Sequence, residues 1–332
     1  MMRLRGQVRI EWVTFASLQD NPLGDPAERA IPVYLPPGYE AGGPYPVIYW
    51  LHGFTGTGLG QVNYRPWVPS LPELMDRVIA EGAPPALLVM ADGFTRYGGS
   101  QYLNSSATGR YEDALLELVG VIDGRYKTRP AARHRGLDGK SSGGYGALVQ
   151  AMRHPEVFGA VAAHSGDMYF EACYKPAFWK GLDTVRKHGG LEAFLRAFDA
   201  APKKPQEMVE ALVLLVAMAM AYSPNPAAPL GFDLPVDVET GELDEAVWAR
   251  WLAWDPVVMV ERHADALRGM RLVYIECGSR DQFALHYGAR ILHRRLERLG
   301  VPHEHQEFDD DHMDVNYRYV ESLRRLCHAL AP

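Results

Sequence analysis

The segment Gly139-Lys140-Ser141-Ser142-Gly143-Gly144 sets a hydroxyl between glycines. A nucleophile on a very tight strand-to-helix turn sits in strained backbone, so its neighbours must be nearly free of side chain. Gly139 and Gly143 meet that need, and Gly144 lets the new helix approach the strand. The helix also aims backbone N–H groups at whatever collects near Ser141. A strand-like piece, His134 to Leu137, precedes the turn and a helical pattern follows, which is the setting G-x-S-x-G chemistry requires. A Gly/Ser turn capping a helix is the plainer alternative, since serine is a favoured N-cap. The context favours the nucleophile. By the motif's frame Ser141 holds the nucleophile position, and Ser142 lends its backbone N–H to an oxyanion hole. Gly139-Lys140-Ser141 also matches the end of a phosphate loop, but that motif's first glycine would fall on His134, so the phosphate reading fails.

A hydroxyl needs a base to take its proton and a third group to orient the base. On such an elbow the chain order is serine, acid, histidine. Asp281 follows the strand-like Arg271 to Glu276, at the carboxyl end where sites of open α/β sheets form; a turn or cap aspartate is its bland alternative. Among later histidines, His286 and His293 fall on the next helix and His328 on the terminal one, while His303 and His305 share a face of the last strand. Only His312, in Asp309-Asp310-Asp311-His312-Met313, lies in the loop after that strand and can reach the same rim. The loop is acidic, but the further ligands a hard divalent ion needs are not spaced for it, so no metal is expected. Glycine-rich His52-Gly53-Phe54-Thr55-Gly56 is expected to supply the second oxyanion donor, the backbone N–H of Phe54.

These side chains need a frame. Pro46 to Leu51, Ala86 to Met90, Gly159 to Ala163 and Arg271 to Glu276 are apolar runs of strand length, suited to strands buried on both faces of a largely parallel sheet; His303 to Phe308 adds a last strand. Val8 to Phe15 and Ala30 to Leu35 suggest an early hairpin. Helical spacing marks Leu71–Ala80, Tyr111–Tyr126, Gly143–His154, Phe283–Leu299 and Val315–Leu330, so helices should cover both faces of the sheet. From about Asp167 to His263 the alternation stops and only helical pieces appear, among them Glu207–Tyr222 and Leu243–Trp254. The expected organisation is a core of residues 1–166 and 264–332, with 167–263 as a helical cap or lid.

Composition narrows the classes. The chain has 332 residues, 47% hydrophobic and 23% charged, which is ordinary for a globular fold. A net charge of −7 without a Lys/Arg run gives no footprint for nucleic acid or an anionic membrane. The N-terminus lacks the apolar core of a signal peptide, and the longest apolar run, Ala211 to Tyr222, is too short to span a bilayer. Three scattered cysteines, Cys173, Cys277 and Cys327, make no disulfide framework. A cytoplasmic protein is expected.

LHGFTG at 51–56, GRYED at 109–113, GKSSGGYGA at 139–147, CGSRDQF at 277–283 and DDDHM at 309–313 occur in one order, and together they resemble the esterase D and feruloyl esterase branch of the α/β-hydrolases. The resemblance covers roughly 31–164 and 271–331. It implies the α/β-hydrolase fold, Ser141 as nucleophile, Asp281 as acid, His312 as base, and the Phe54 and Ser142 amides as oxyanion hole. Esterase D-like enzymes carry a cysteine shortly after the oxyanion strand, whereas Thr55-Gly56-Thr57 stands here, which argues against a glutathione thioester. The expected reaction is hydrolysis of short-to-medium acyl or aryl esters without a cofactor, the partner being a small-molecule ester. Tyr145, Met218 and Phe283 are expected to contact it. An acyltransferase or thioesterase with the same triad, or a silent binding protein on this fold, are the alternatives.

Overall fold

The computed structural model describes residues 3–332; the first two residues of the N-terminal segment lie outside the described range. Its strands are β1 (Gln7–Thr14), β2 (Glu28–Leu35), β3 (Val47–Leu51), β4 (Leu87–Ala91), β5 (Asn104–Ser105), β6 (Gly109–Arg110), β7 (Arg135–Gly139), β8 (Ala160–His164), β9 (Leu272–Gly278) and β10 (Glu304–Phe308). Eight of them form one sheet in the order β1-β2-β4-β3-β7-β8-β9-β10. The pairs β1–β2 and β2–β4 are antiparallel, and from β4 to β10 every pair is parallel. Residues of β3, β4, β7 and β8 are all buried, as helices on both faces demand of a parallel sheet. This is a mixed α/β fold of the α/β-hydrolase kind.

Register is what positions the site. Leu51 pairs with Gly139, so β3 and β7 end level and their loops leave side by side. Phe308 pairs with Gly278, which does the same for β9 and β10. A Cβ on Gly278 would lie 2.6 Å from the carbonyl oxygens of Asp310 and Asp311, so only glycine lets these two loops touch.

The core strands stand within a residue or two of their expected ends, and the helix Leu71–Ala80 matches its expected span, closed by a Ser70/Glu73 capping box. Three features differ from expectation. The short β5–β6 hairpin has too few residues to show a period. Glu207–Tyr222 is one helical run, but its middle, Leu212–Ala217, is wound as a π-helix. Helix Pro256–Arg268 is absent from the expected set, although Asp255-Pro256 is a cap followed by proline at the first helical position. It runs unbroken through residue 263 and packs on the helix Ser142–Arg153. Asp255 also accepts the Tyr169 and Phe170 amides at 2.9 and 2.7 Å, tying the start of the helical segment to its end. Phe170, Tyr174, Phe178, Tyr222, Trp248 and Trp251 fill the interior of this segment. Among the described residues no helix is long and apolar enough to cross a membrane.

Candidate active site

Ser141 occupies the turn between β7 and the helix Ser142–Arg153 with φ 59° and ψ −127°, a conformation L-residues avoid. Steric crowding explains the glycines around it. A Cβ on Gly143 would stand 1.9 Å from the Leu51 carbonyl oxygen, and one on Gly139 would stand 2.5 Å from Gly143 backbone. On Gly144 it would meet the His164 carbonyl at 3.0 Å. The elbow is held from below by Ser141 N–H donating to the His164 carbonyl at 2.9 Å.

The three residues singled out from distant parts of the sequence converge here. His312 Nε2 lies 3.0 Å from Ser141 Oγ, and His312 Nδ1 lies 2.7 Å from Asp281 Oδ2. Asp281 and His312 are both buried. Burial pushes the Asp281 carboxyl up, but the His312 hydrogen bond and charge, with the Phe283 and Leu285 amides, outweigh it and hold the group below its ordinary value. Gln282 Oε1 accepts the His312 backbone N–H at 2.9 Å, and the edge of the Phe283 ring meets the imidazole at 4.8 Å between centroids. The ring is thus fixed by its backbone, by its carboxylate and by an aromatic wall.

The loop after β3 passes close to the nucleophile: a Cβ on Gly53 would lie 3.3 Å from that of Ser141. His52, buried at the strand's end, faces the Gly53 carbonyl with Nδ1 at 2.8 Å and accepts the Gly93 N–H on Nε2 at 2.9 Å. Those partners fix the tautomer, since a carbonyl only accepts and an amide only donates. Burial lowers the pKa of His52, consistent with a neutral ring. The Gly56 N–H bonds the same Gly53 carbonyl at 3.0 Å, so this peptide unit is held on its carbonyl side and its other side is the Phe54 N–H. Ser142 stands at the first helical position, where no intrahelical acceptor exists for its amide.

Ser142 Oγ points away from the reacting group, to Asp167 Oδ2 at 3.0 Å. Asp167 also accepts Tyr174 O–H at 2.7 Å and Gln101 N–H at 3.1 Å. This buried carboxylate has no local sequence signal, because its donors come from three remote segments. A cavity of about 290 Å³ opens over Ser141 and His312. Val209, Val213, Leu214 and Met218, from the helical run carrying the π-turn, line it together with Phe283 and Leu285. Met218 and Phe283, two of the residues expected to contact substrate, line this cavity. Tyr145 does not line the cavity: it is wholly buried, its ring packed on Phe170 and Tyr222, because its place on the elbow helix turns it toward the core.

Residues 26–323 match the family model described as "Putative esterase". Among curated proteins, an endo-1,4-beta-xylanase/feruloyl esterase of Xylanibacter ruminicola is 31% identical over 189 residues, 53% of this chain and 26% of that protein. The uncharacterized protein YbbA of Bacillus subtilis is 25% identical over 165 residues, 47% of this chain and 62% of that one. The chain therefore matches less than two thirds of the length of either relative. Among solved structures, a ferulic acid esterase superposes with TM-score 0.64 at 18% identity, over 99% of this chain and 100% of that one. An S-formylglutathione hydrolase from Staphylococcus aureus gives TM-score 0.57 at 14% identity, over 98% of this chain and 100% of that one. At such identities the superpositions speak for the fold, while the family match covers most of the chain. The chain belongs to this esterase family.

Proposed function

We propose that this enzyme hydrolyses short-to-medium acyl or aryl esters through an acyl-enzyme on Ser141, with the helical segment 167–263 as a cap over the acyl portion. The observation that carries the reading is the unbroken hydrogen-bond line from Asp281 through His312 to Ser141 Oγ on a strained elbow. Neutral His312 accepts the Ser141 proton on Nε2 as Oγ attacks the ester carbonyl, and Asp281 holds Nδ1–H and stabilises the cation that forms. The carbonyl oxygen becomes an oxyanion facing the amides of Phe54 and Ser142, each such donor being worth roughly 2.7–4 kcal/mol of barrier. The tetrahedral species collapses, His312 protonates the departing alcohol, and a water deprotonated by His312 then releases the acid and restores Ser141.

The apolar wall of Val209, Val213, Leu214 and Met218 supports an acyl or aryl group on that side, methionine adapting to varied shapes. The π-turn at Leu212–Ala217 supports the same assignment, since such turns gather at functional sites. The names of the feruloyl and ferulic acid esterase relatives favour including aryl acids. A p-nitrophenyl butyrate assay tests this: a burst of phenolate stoichiometric with enzyme is expected, and Ser141→Ala abolishes it. A fluorophosphonate adduct mapped to Ser141 supports the assignment; an adduct on Ser142, or none, overturns it.

A further inference from the structure

Lys140, the residue before the nucleophile, is left without an ion-pair or hydrogen-bond partner for its ammonium among the described residues, which is unusual for a cation mostly withdrawn from water. Burial lowers its pKa, against the pull of Asp281, Asp167, Asp314 and Asp311. Each of those carboxylates is committed elsewhere. Asp281 holds His312, and Asp167 holds Ser142 and Tyr174. Asp314 faces Arg65 at 3.5 Å, and Asp311 accepts the Met313 amide at 2.7 Å.

Lys140 also stands between two cavities. One is the cavity over Ser141 already described; the other, of about 280 Å³, shares Gly53, Phe54, Thr55 and Lys140 with it. The walls differ in chemistry. The first is largely aliphatic, whereas the second carries Gln61, Asn63, Arg65, Ser70 and Asn316. The two cavities meet at Lys140, next to the nucleophile, and at the loop that carries the Phe54 amide.

We propose that the second cavity is the alcohol subsite and that Lys140, with Arg65 at its rim, binds a carboxylate or phosphate carried by the alcohol portion of the substrate. This rests on the acyl-enzyme reading of Ser141. The desolvation cost of a cation that no carboxylate touches is offset when an anion is its ligand, and an ammonium suits either oxyanion as a point charge.

The test is a series of butyrate esters with one acyl group and different alcohols: 3-hydroxypropanoate, its neutral methyl ester, 2-hydroxyethyl phosphate and choline. For the wild-type enzyme, kcat/KM of the better anionic ester should exceed that of the neutral one by roughly tenfold, as one charge-assisted bond supplies, and the cationic ester should fall below it. Whichever anionic ester leads identifies the carboxylate or the phosphate as the ligand. Lys140→Met should bring the anionic-to-neutral ratio close to one, and Lys140→Arg should keep most of it. A wild-type ratio near one, or a ratio that survives Lys140→Met, overturns the proposal; the wild-type series is decisive even if the methionine variant fails to fold. Turnover of the neutral ester by wild type but not by Ser141→Ala keeps the esterase assignment separate, because it stands whatever the charge preference.

Discussion

His52 Nδ1 lies 2.8 Å from the carbonyl oxygen of Gly53, and that carbonyl shares its peptide unit with the Phe54 amide. Because a peptide is planar, fixing the oxygen fixes the direction of the N–H on the opposite side. His52 is therefore a positioning residue for the proposed oxyanion hole, acting through the backbone. His52→Ala should lower kcat by about 10²-fold, toward the lower end of what losing one oxyanion donor costs, with KM changed far less. Steady-state kinetics separate the two parameters, and a purely structural role would instead reduce the fraction of titratable Ser141 without changing turnover per labelled site.

Asp281→Asn addresses the other end of the hydrogen-bond line. An amide there can present N–H to His312 Nδ1 and favour the tautomer that leaves no acceptor for Ser141, so kcat should drop by roughly 10⁴-fold while the fold persists. The carboxylate also contributes to stability in a known direction. Its folded pKa is depressed, so the contribution is present above the ordinary carboxylate value and is lost as pH falls through the folded one. Denaturant midpoints measured from neutral to acid pH should fall less steeply in Asp281→Asn than in wild type.

What the sequence made legible was local. Strand–turn–helix around Ser141 and the buried runs of β3, β4, β8 and β9 are carried by neighbours along the chain, and the order serine, acid, histidine follows from the elbow they form. Asp167 was not legible, because its meaning lies in Ser142, Tyr174 and Gln101, which only folding brings to it. Tyr145 misled for the converse reason: proximity to Ser141 in sequence says nothing about which way a helix turns a ring. Lys140 filled an unspecified position of the motif, and its lack of a partner can be seen only after the four nearby carboxylates find theirs. Helix Pro256–Arg268 did carry a signal, the Asp255-Pro256 start, but that signal straddles the stretch where the helical segment gives way to the last part of the sheet.

The two kinds of glycine predict opposite signs. Gly143→Ala drives a methyl group to 1.9 Å from the Leu51 carbonyl oxygen, which is backbone and cannot swing aside. That variant should lose several degrees of melting temperature or fail to fold. Gly120, exposed in the helix Tyr111–Arg125, has open space where a Cβ would stand, with nothing within 4 Å. Gly120→Ala should therefore stabilise by about 0.5–1 kcal/mol, since alanine restricts the unfolded chain and favours helix. Thermal melts of the two variants side by side check both.

Beneath the elbow, His164 Nδ1 meets Glu276 Oε1 at 2.7 Å, and Glu276 also binds Arg318 at 2.7 Å. His164 Nε2 lies 2.7 Å from Ser322 Oγ, which donates to Asp138. These contacts join the carboxyl ends of β7, β8 and β9, and the His164 carbonyl holds the Ser141 amide. Burial disfavours the His164 cation, yet the charge of Glu276 and the bonds to Asp138 and Glu276 raise its pKa from 6.5 to about 9. Burial likewise raises Glu276, but His164 and Arg318 bring it from 4.5 down to about 2. The raised histidine contributes stability that is full below 6.5 and lost as pH climbs through about 9. The depressed glutamate contributes stability that is full above 4.5 and lost as pH falls toward about 2. Asp138, whose carboxyl burial raises, is the remaining acid facing the ring, and it adds to the attraction only where it is ionised. The pair's contribution is therefore greatest between 4.5 and 6.5 and declines on both sides. Urea midpoints of the wild type should fall between pH 6.5 and 9, and Glu276→Gln, which removes the charge that holds the proton on His164, should flatten that decline while lowering the midpoint overall. An alkaline slope as steep in Glu276→Gln as in wild type would show that His164 does not carry it.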